Sequence, residues 1–342
     1  MALRLKELDR IEFSVLVNNE VDPISASPNP AVKYPGFFTG VPLIPLPEGS
    51  HRGDAKLEAR MDSICCGAHG LSLVITAIAG DVSHTMLFDA GPEDSVFKTN
   101  ASRMRLDAGA IERIQLSHWH RDHSGGMLSA IKLITGAKQL GQPPVVVDLH
   151  PDRPDFRGID FNGTPVSMEA DPSFEDMEAR GGVISKSSAP HLVLDDMFAV
   201  SGEVPRVTEY EKGLRGGIRF NAATEEWEKD EMIKDERFLM CNLKGKGLVV
   251  FAGCSHPGII NICRNAVELG GSLPLFSIIG GFHLADGDPI KMQRTMDDVK
   301  KMDVKVLMPG HCTGWRFSFK IEQEMPGSYV PCFGGTKYTI EA

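Results

Sequence analysis

The sequence predicts a single α/β domain, and three observations point to it. Short apolar runs of β type alternate with stretches of helical periodicity along the chain. A histidine-rich turn stands between one such strand and one such helix. No repeat of fixed period and no low-complexity tract breaks the alternation.

Ile11–Val17 and Leu71–Ile78 read as strands, and Thr85–Phe88 as a third that ends at Asp89-Ala90-Gly91-Pro92. Ile111–Leu116 is a short strand running straight into the histidine cluster. Ser124–Ile134 follows with Met127, Leu128, Ile131 and Leu133 at roughly helical spacing. Val145–Leu149 returns to β. Lys244-Gly245-Lys246-Gly247 reads as a hairpin turn between Phe238–Leu243 and Leu248–Phe251. Gly258–Leu269 is an amphipathic helix with Ile259, Ile262, Cys263, Ala266 and Val267 on one side. Leu275–Ile279 and Val304–Met308 are buried-type strands separated by a helix over Pro289–Met302.

Two stretches depart from this rhythm. Residues 21–53 are rich in Pro, Gly and Ser yet hold Tyr34, Phe37, Phe38 and Leu43, and 151–217 carry many charges and turns. Both are too apolar in places to be linkers. The expectation is an insertion at about 21–53 and a long loop region at about 151–217, packed over one end of a domain spanning 1–342, where active-site lids commonly sit. Plain surface excursions are the alternative.

Bulk composition narrows the partners. The chain has 342 residues, 42% hydrophobic and 24% charged, as an ordinary globular protein does. Its formal net charge of −10 argues against nucleic acid or an anionic membrane, which reward a basic face. No apolar run approaches the roughly 20 residues of a membrane span, and the charged N-terminal stretch lacks a signal peptide's apolar core. Seven cysteines without a CxxC pair read as reduced thiols. The expectation is a cytoplasmic protein with a small-molecule substrate; its oligomeric state is not legible. The sequons at Asn100 and Asn162 and the Arg52-Gly53-Asp54 triplet carry no weight in that setting.

Chemistry concentrates in Leu116-Ser117-His118-Trp119-His120-Arg121-Asp122-His123-Ser124-Gly125-Gly126. Three histidines and a carboxylate fall within one short turn, the donor set that suits Zn²⁺, with Mn²⁺ or Fe²⁺ also compatible. One tetrahedral ion would not use all four from so short a segment. Two would, with His118 and His120 on one and Asp122 and His123 on the other.

This HxHxDH turn resembles that of the metallo-β-lactamase superfamily, and further landmarks follow in its order. Leu87-Phe88-Asp89-Ala90-Gly91 is similar to the strand-and-Asp segment that buttresses the metals, Val249–Cys254 to the strand before a bridging ligand, and Pro309-Gly310-His311 to the last ligand. The resemblance implies an αββα sandwich with one or two ions at one edge of its sheets. Gly67–Ser72, Gly253–Gly258, Gly280–Leu284, Pro309–Gly314 and Ser201–Arg206 resemble one branch in particular, the dihydropteroate-synthase-like or dihydropterin-methyl-ribofuranosylaminobenzene-phosphate synthase group. The segment at Val21 to Gly53 looks like an insertion relative to that branch, so its substrate does not carry over.

Two departures matter. Cys254 stands where the family usually has a bridging Asp, and a thiolate can ligate but bridges less readily. The motif of the middle histidine ligand is missing, and His256, two residues past Cys254 and on the same face if extended, is the substitute. His283 reads as a catalytic acid, a ligand, a substrate contact or a supporting histidine; His69 and His191 are weaker candidates, and His150 reads as structural. Asp89, with His69, is expected behind the ligands, and Asp122 is expected to take part in catalysis. His120, where flavodiiron proteins have Glu, and the lack of a flavodoxin module argue for hydrolysis over redox chemistry. Together these readings predict hydrolysis of a small amide or ester, a lactam or lactone, by metal-activated water. Phosphate-ester chemistry of the pterin-synthase type and a non-catalytic metal-binding protein are the alternatives.

Overall fold

The computed structural model describes residues 2–342. Two seven-stranded sheets form its centre. In the first, the strands run in the order Val183–Lys186, Val146–Leu149, Ile111–Gln115, Val82–Phe88, Ser72–Ala79, Arg10–Val17 and Lys337–Glu341. Pairing is parallel from Val183–Lys186 to Val82–Phe88 and antiparallel beyond. In the second, His191–Val193, Phe198–Val200, Leu239–Leu243, Gly247–Ala252, Leu275–Gly281 and Val306–Gly310 lie in that order, with Glu7–Leu8 added along Leu239–Leu243. The last three of these are parallel.

The alternation read in the sequence has a direct cause in the packing. Arg10–Val17 turns Ile11, Phe13 and Val15 inward, and Gly247–Ala252 sends Val249 and Phe251 to meet them, so these residues share the core between the sheets. Phe13 packs edge-on against Phe251 at 5.6 Å between ring centroids and stacks on Tyr338 at 5.1 Å. The opposite residues of Gly247–Ala252, Leu248 and Val250, face a second core beneath helices Ile259–Leu269, Pro289–Lys301 and Trp315–Glu324. Helices Asp94–Arg103 and Met127–Ala137 cover the outer face of the first sheet with Phe97, Ile131 and Ile134. The layers are thus helix, sheet, sheet, helix, the αββα sandwich expected.

Most strand bounds fall within a residue or two of those read from the sequence. The histidine turn instead forms a short helix of its own, Arg121–Ser124, before Met127–Ala137. The stretch 151–217 is the clear correction: it is not a long loop. Phe156–Phe161 and Thr164–Ser167 join Gly217–Asn221 and Glu226–Lys229 in a four-stranded antiparallel sheet, and Phe174–Ala179 is a helix. Thr164–Ser167 is exposed at every position, so it has no apolar alternation to read. The segment 21–53 contributes Leu43–Pro45 to a hairpin with Leu57–Ala59. It packs along Lys337–Glu341, where Lys33 exchanges backbone hydrogen bonds with Thr339. Among the described residues no helix is long and apolar enough to cross a membrane.

The strands of both sheets that lead to the histidine turn and its partners end at one edge. Arg10–Val17 delivers Asn18 and Asn19 there, Val82–Phe88 delivers Asp89, and Ile111–Gln115 delivers His118 to His123. Gly247–Ala252 delivers Cys254 and His256, Leu275–Gly281 delivers His283, and Val306–Gly310 delivers His311. Residues far apart in sequence meet because parallel strands present the loops after their carboxyl ends together.

Candidate metal centre

The turn after Ile111–Gln115 is held against the loop after Val82–Phe88 by main-chain bonds. Ala90 N donates to His123 O at 2.7 Å and Gly126 N to Gly91 O at 3.2 Å. Gly125 is required by this approach, since a Cβ there would lie 1.7 Å from the Pro92 carbonyl oxygen.

Two groups of donor atoms result. His118, His120 and His256 form one, and Asp122, His123, Cys254 and His311 the other, with the atoms of each group within 4.8 Å of one another. In the first, His118 Nε2 lies 2.9 Å and His256 Nε2 3.1 Å from His120 Nδ1. In the second, His123 Nε2 is 3.1 Å from Cys254 Sγ and 3.2 Å from His311 Nε2, and Asp122 Oδ2 is 3.1 Å from the same His311 atom.

Surrounding groups set which ring nitrogens are bare. Ser117 Oγ donates to Asp89 Oδ2 at 2.8 Å, so it accepts from His118 Nδ1 at 2.9 Å, leaving His118 Nε2 with its lone pair free. His123 Nδ1 donates to Asp89 Oδ2 at 2.6 Å, and His311 Nδ1 faces Asn19 Oδ1 at 3.3 Å. Both therefore turn bare Nε2 atoms to the second group. Burial, with neighbouring histidines and Arg157, holds His118 and His256 well below the ordinary histidine range, and burial with Arg157 pushes His120 down to about 3. Neutral imidazoles with converging lone pairs repel one another unless a cation lies between them. The close approaches are accordingly read as donors converging on a shared centre. His120 Nε2 and His256 Nδ1 are buried without a hydrogen-bond partner. In the second group burial opposes charge on His123, but the Asp89 and Asp122 carboxylates outweigh it and hold the ring up at about 9 with no ion beside it, so an ion bound there would take the place of the Nε2 proton. The donor set fits divalent ions of the zinc type.

The sequence-derived candidates land as follows. The structure brings His118, His120, His256, Asp122, His123, Cys254 and His311 to the two groups, and Asp89 behind them with its backbone at φ 60°. His69, more than half exposed, stands 3.7 Å from Asp122 Oδ2. His283 lies with its ring 4.4 Å from that of His256, beside Cys254 and Cys312. His191 is instead tied to Asp148 at 2.8 Å, and His150 accepts from Asp152 N while its carbonyl receives Trp119 Nε1.

Several supporting residues escaped the sequence reading. Glu236, fully buried, accepts from Ser255 N and His256 N at 2.6 Å each, which fixes the turn carrying His256. Asn18 Oδ1 accepts from His311 N at 2.8 Å. Asp235 accepts from Trp119 N, and Arg157 donates to Trp119 O, both at 2.8 Å. The signal available was Asp235-Glu236-Arg237, three charges directly before the mostly apolar run Phe238–Leu243. Removing the Glu236 carboxylate orphans two buried amides beside a ligand. Glu236→Ala is therefore expected to weaken metal affinity by about 10–100-fold, measured by competition with a chromophoric chelator; unchanged affinity would leave Glu236 without this role.

No family model matches the chain. Among curated proteins, it is 27% identical over 262 residues to the 7,8-dihydropterin-6-methyl-4-(β-D-ribofuranosyl)-aminobenzene-5′-phosphate synthase of Methanocaldococcus jannaschii, covering 72% of this chain and 82% of that protein. It is 30% identical over 262 residues to an uncharacterized protein of the same organism, covering 75% of this chain and 88% of the relative. Among solved structures, it superposes on a metal-dependent hydrolase of the β-lactamase superfamily with a TM-score of 0.65 and 20% identity, over 96% of this chain and 98% of the other.

Proposed function

We propose that this chain, whose fold is that of a metal-dependent hydrolase of the β-lactamase superfamily, is itself a metal-dependent hydrolase of a small ester or amide, such as a lactone or lactam. One observation carries the reading: two groups of donor atoms, buried but for Asp122, stand side by side at the edge of the sandwich, with the second opening on a groove at His311. That groove has a volume of about 300 Å³ and is lined by Asn19, His69, His311, Cys312 and Trp315, among others. The size suits a small ligand.

His118, His120 and His256 would hold one ion, and Asp122, His123, Cys254 and His311 a second. Such ions supply a lowered pKa for water and polarisation of a carbonyl oxygen. Asp89 fixes His118, through Ser117, and His123 in the tautomers that leave Nε2 bare. Burial alone would raise the Asp122 carboxyl, but His123 and His311 hold it well below the usual range. It is therefore ionised, able to orient a water molecule and take its proton. Trp315, 60% exposed at the groove, offers an apolar face to a ring-bearing substrate.

The basic side chains carried by the motifs favour a substrate of low charge. Arg121 donates to Ala170 O and pairs with Glu169, while Arg206 donates to the carbonyls of His256 and Met232. Neither is free to hold a phosphate. A second reading, phosphate-ester chemistry related to pterin synthesis, is favoured by the 27% likeness to the synthase named above.

Turnover of lactones, lactams, aryl esters and phosphate mono- and diesters, before and after chelation, separates these readings. Cleavage of a lactone or lactam that the chelator abolishes and added Zn²⁺ or Mn²⁺ restores is the expected result. Cleavage confined to phosphate esters would replace the first reading with the second, and metal-independent cleavage would sink both.

A further inference from the structure

Cys254, His283 and Cys312 bring two sulfurs and an imidazole nitrogen within 4.8 Å of one another. Their proximity follows from topology. They sit just past the ends of the adjacent parallel strands Gly247–Ala252, Leu275–Gly281 and Val306–Gly310, in a register that pairs Ala252 with Gly280 and Gly281 with Gly310. Gly281 lies between the two cysteines. A Cβ there would stand 2.7 Å from Cys312 Sγ and 2.6 Å from the Gly253 carbonyl oxygen, so only glycine leaves the sulfurs room to approach.

His283 shows a matching peculiarity. Its backbone lies in the left-handed region at φ 50°, a conformation uncommon outside glycine. Its Nδ1 is buried without a hydrogen-bond partner. Both cysteines are unbridged, and Cys312 Sγ lies 3.2 Å from the Cys254 carbonyl oxygen.

We propose that Cys254, His283 and Cys312 hold a third, thiophilic divalent ion, joined to the neighbouring donor group through the shared sulfur of Cys254. This rests on the reading of the two adjacent groups as a metal centre. Two thiolates and an imidazole are the soft donors that zinc-like ions select. Cys254 is shared with the neighbouring group, so Cys312 brings the one further thiolate, which offsets half the charge of the added dication. Cys312 lines the groove, which leaves the ion a side open to a substrate donor atom. His283 then acts as a ligand in place of the proton-transfer role expected from the sequence.

Cd²⁺ alone is the probe, titrated into metal-free reduced protein with Cys65→Ser and Cys66→Ser removing other accessible sulfurs, and bound metal is counted after gel filtration. Three ions per chain are expected, falling to two in Cys312→Ser and in His283→Asn. Asn tolerates the left-handed backbone at 283, so this second variant guards against a folding defect in the first. With Co²⁺, thiolate charge-transfer absorption should be about threefold stronger in the parent than in Cys312→Ser, as three Co–S bonds against one. Two ions in the parent would overturn the third site while leaving the dinuclear centre standing. Three ions persisting in both variants would also overturn it, and fewer than two in the parent would remove both readings.

Discussion

Asp122→Asn is expected to lower kcat/KM by about three orders of magnitude, or about 4 kcal/mol of transition-state stabilisation. Asp122 is the one carboxylate in either of the two donor groups. Asparagine keeps its shape, so the change isolates charge from packing. The side chain is part-exposed, with its Oδ2 3.1 Å from His311 Nε2 and 3.8 Å from His123 Nε2, so it reaches two other donors of the second group. A neutral amide there binds a dication more weakly and cannot accept a proton from water. The variant should therefore lose one bound ion per chain and show its deficit mainly in kcat. Steady-state kinetics paired with metal counting decides the matter. A loss under tenfold with both ions retained would remove Asp122 from the chemistry.

Legibility of this centre in the sequence tracked the distance between residues along the chain. His118, His120, Asp122 and His123 share one turn, so covalent proximity alone places them together whatever the rest of the fold does. Cys254, His256 and His311 reach them from the second sheet, and only the resemblance to a family gave their place in advance. His256 was a substitute for a missing motif; what positions it is Glu236, whose carboxylate binds two amides at 2.6 Å. A run such as Asp235-Glu236-Arg237 reads as a solvated loop because three charges rarely go inside unpaired. Here each has a buried partner, with Arg237 on Asp148 at 2.7 Å. The helix Trp315–Glu324 was equally hidden: it buries Phe317 and Ile321 four residues apart but exposes Trp315 and Phe319, which blurs its apolar face. The strands of the small sheet within 151–217 failed for the opposite reason, having almost no buried face.

The same pairing of buried charges makes the loss of Arg157 costly to stability. Its guanidinium, only 3% exposed, pairs with Asp235, 1% exposed, and also with Asp230 at 2.9 Å. Together Arg157 and Asp235 clamp both main-chain groups of Trp119, at the centre of the HxH turn. Arg157→Met keeps much of the side-chain stem but leaves Asp235 charged and uncompensated in the interior, an expected loss of about 3–5 kcal/mol. The pH dependence separates this cause from lost packing. Burial alone would raise the Asp235 carboxyl, but Arg157 and the Trp119 amide hold it at about 2. A carboxyl depressed in the fold contributes stability that is complete above its unfolded value of about 3.9 and is lost as pH falls through the folded one. In the variant the unpaired carboxyl has the opposite sign: it destabilises while ionised and is relieved by protonation. The gap between parent and variant, measured by urea unfolding, should therefore be widest near neutral pH and narrow as pH falls toward 3. A gap that stays constant over that range would assign the loss to packing and leave the Arg157–Asp235 pair without an electrostatic part in holding the turn.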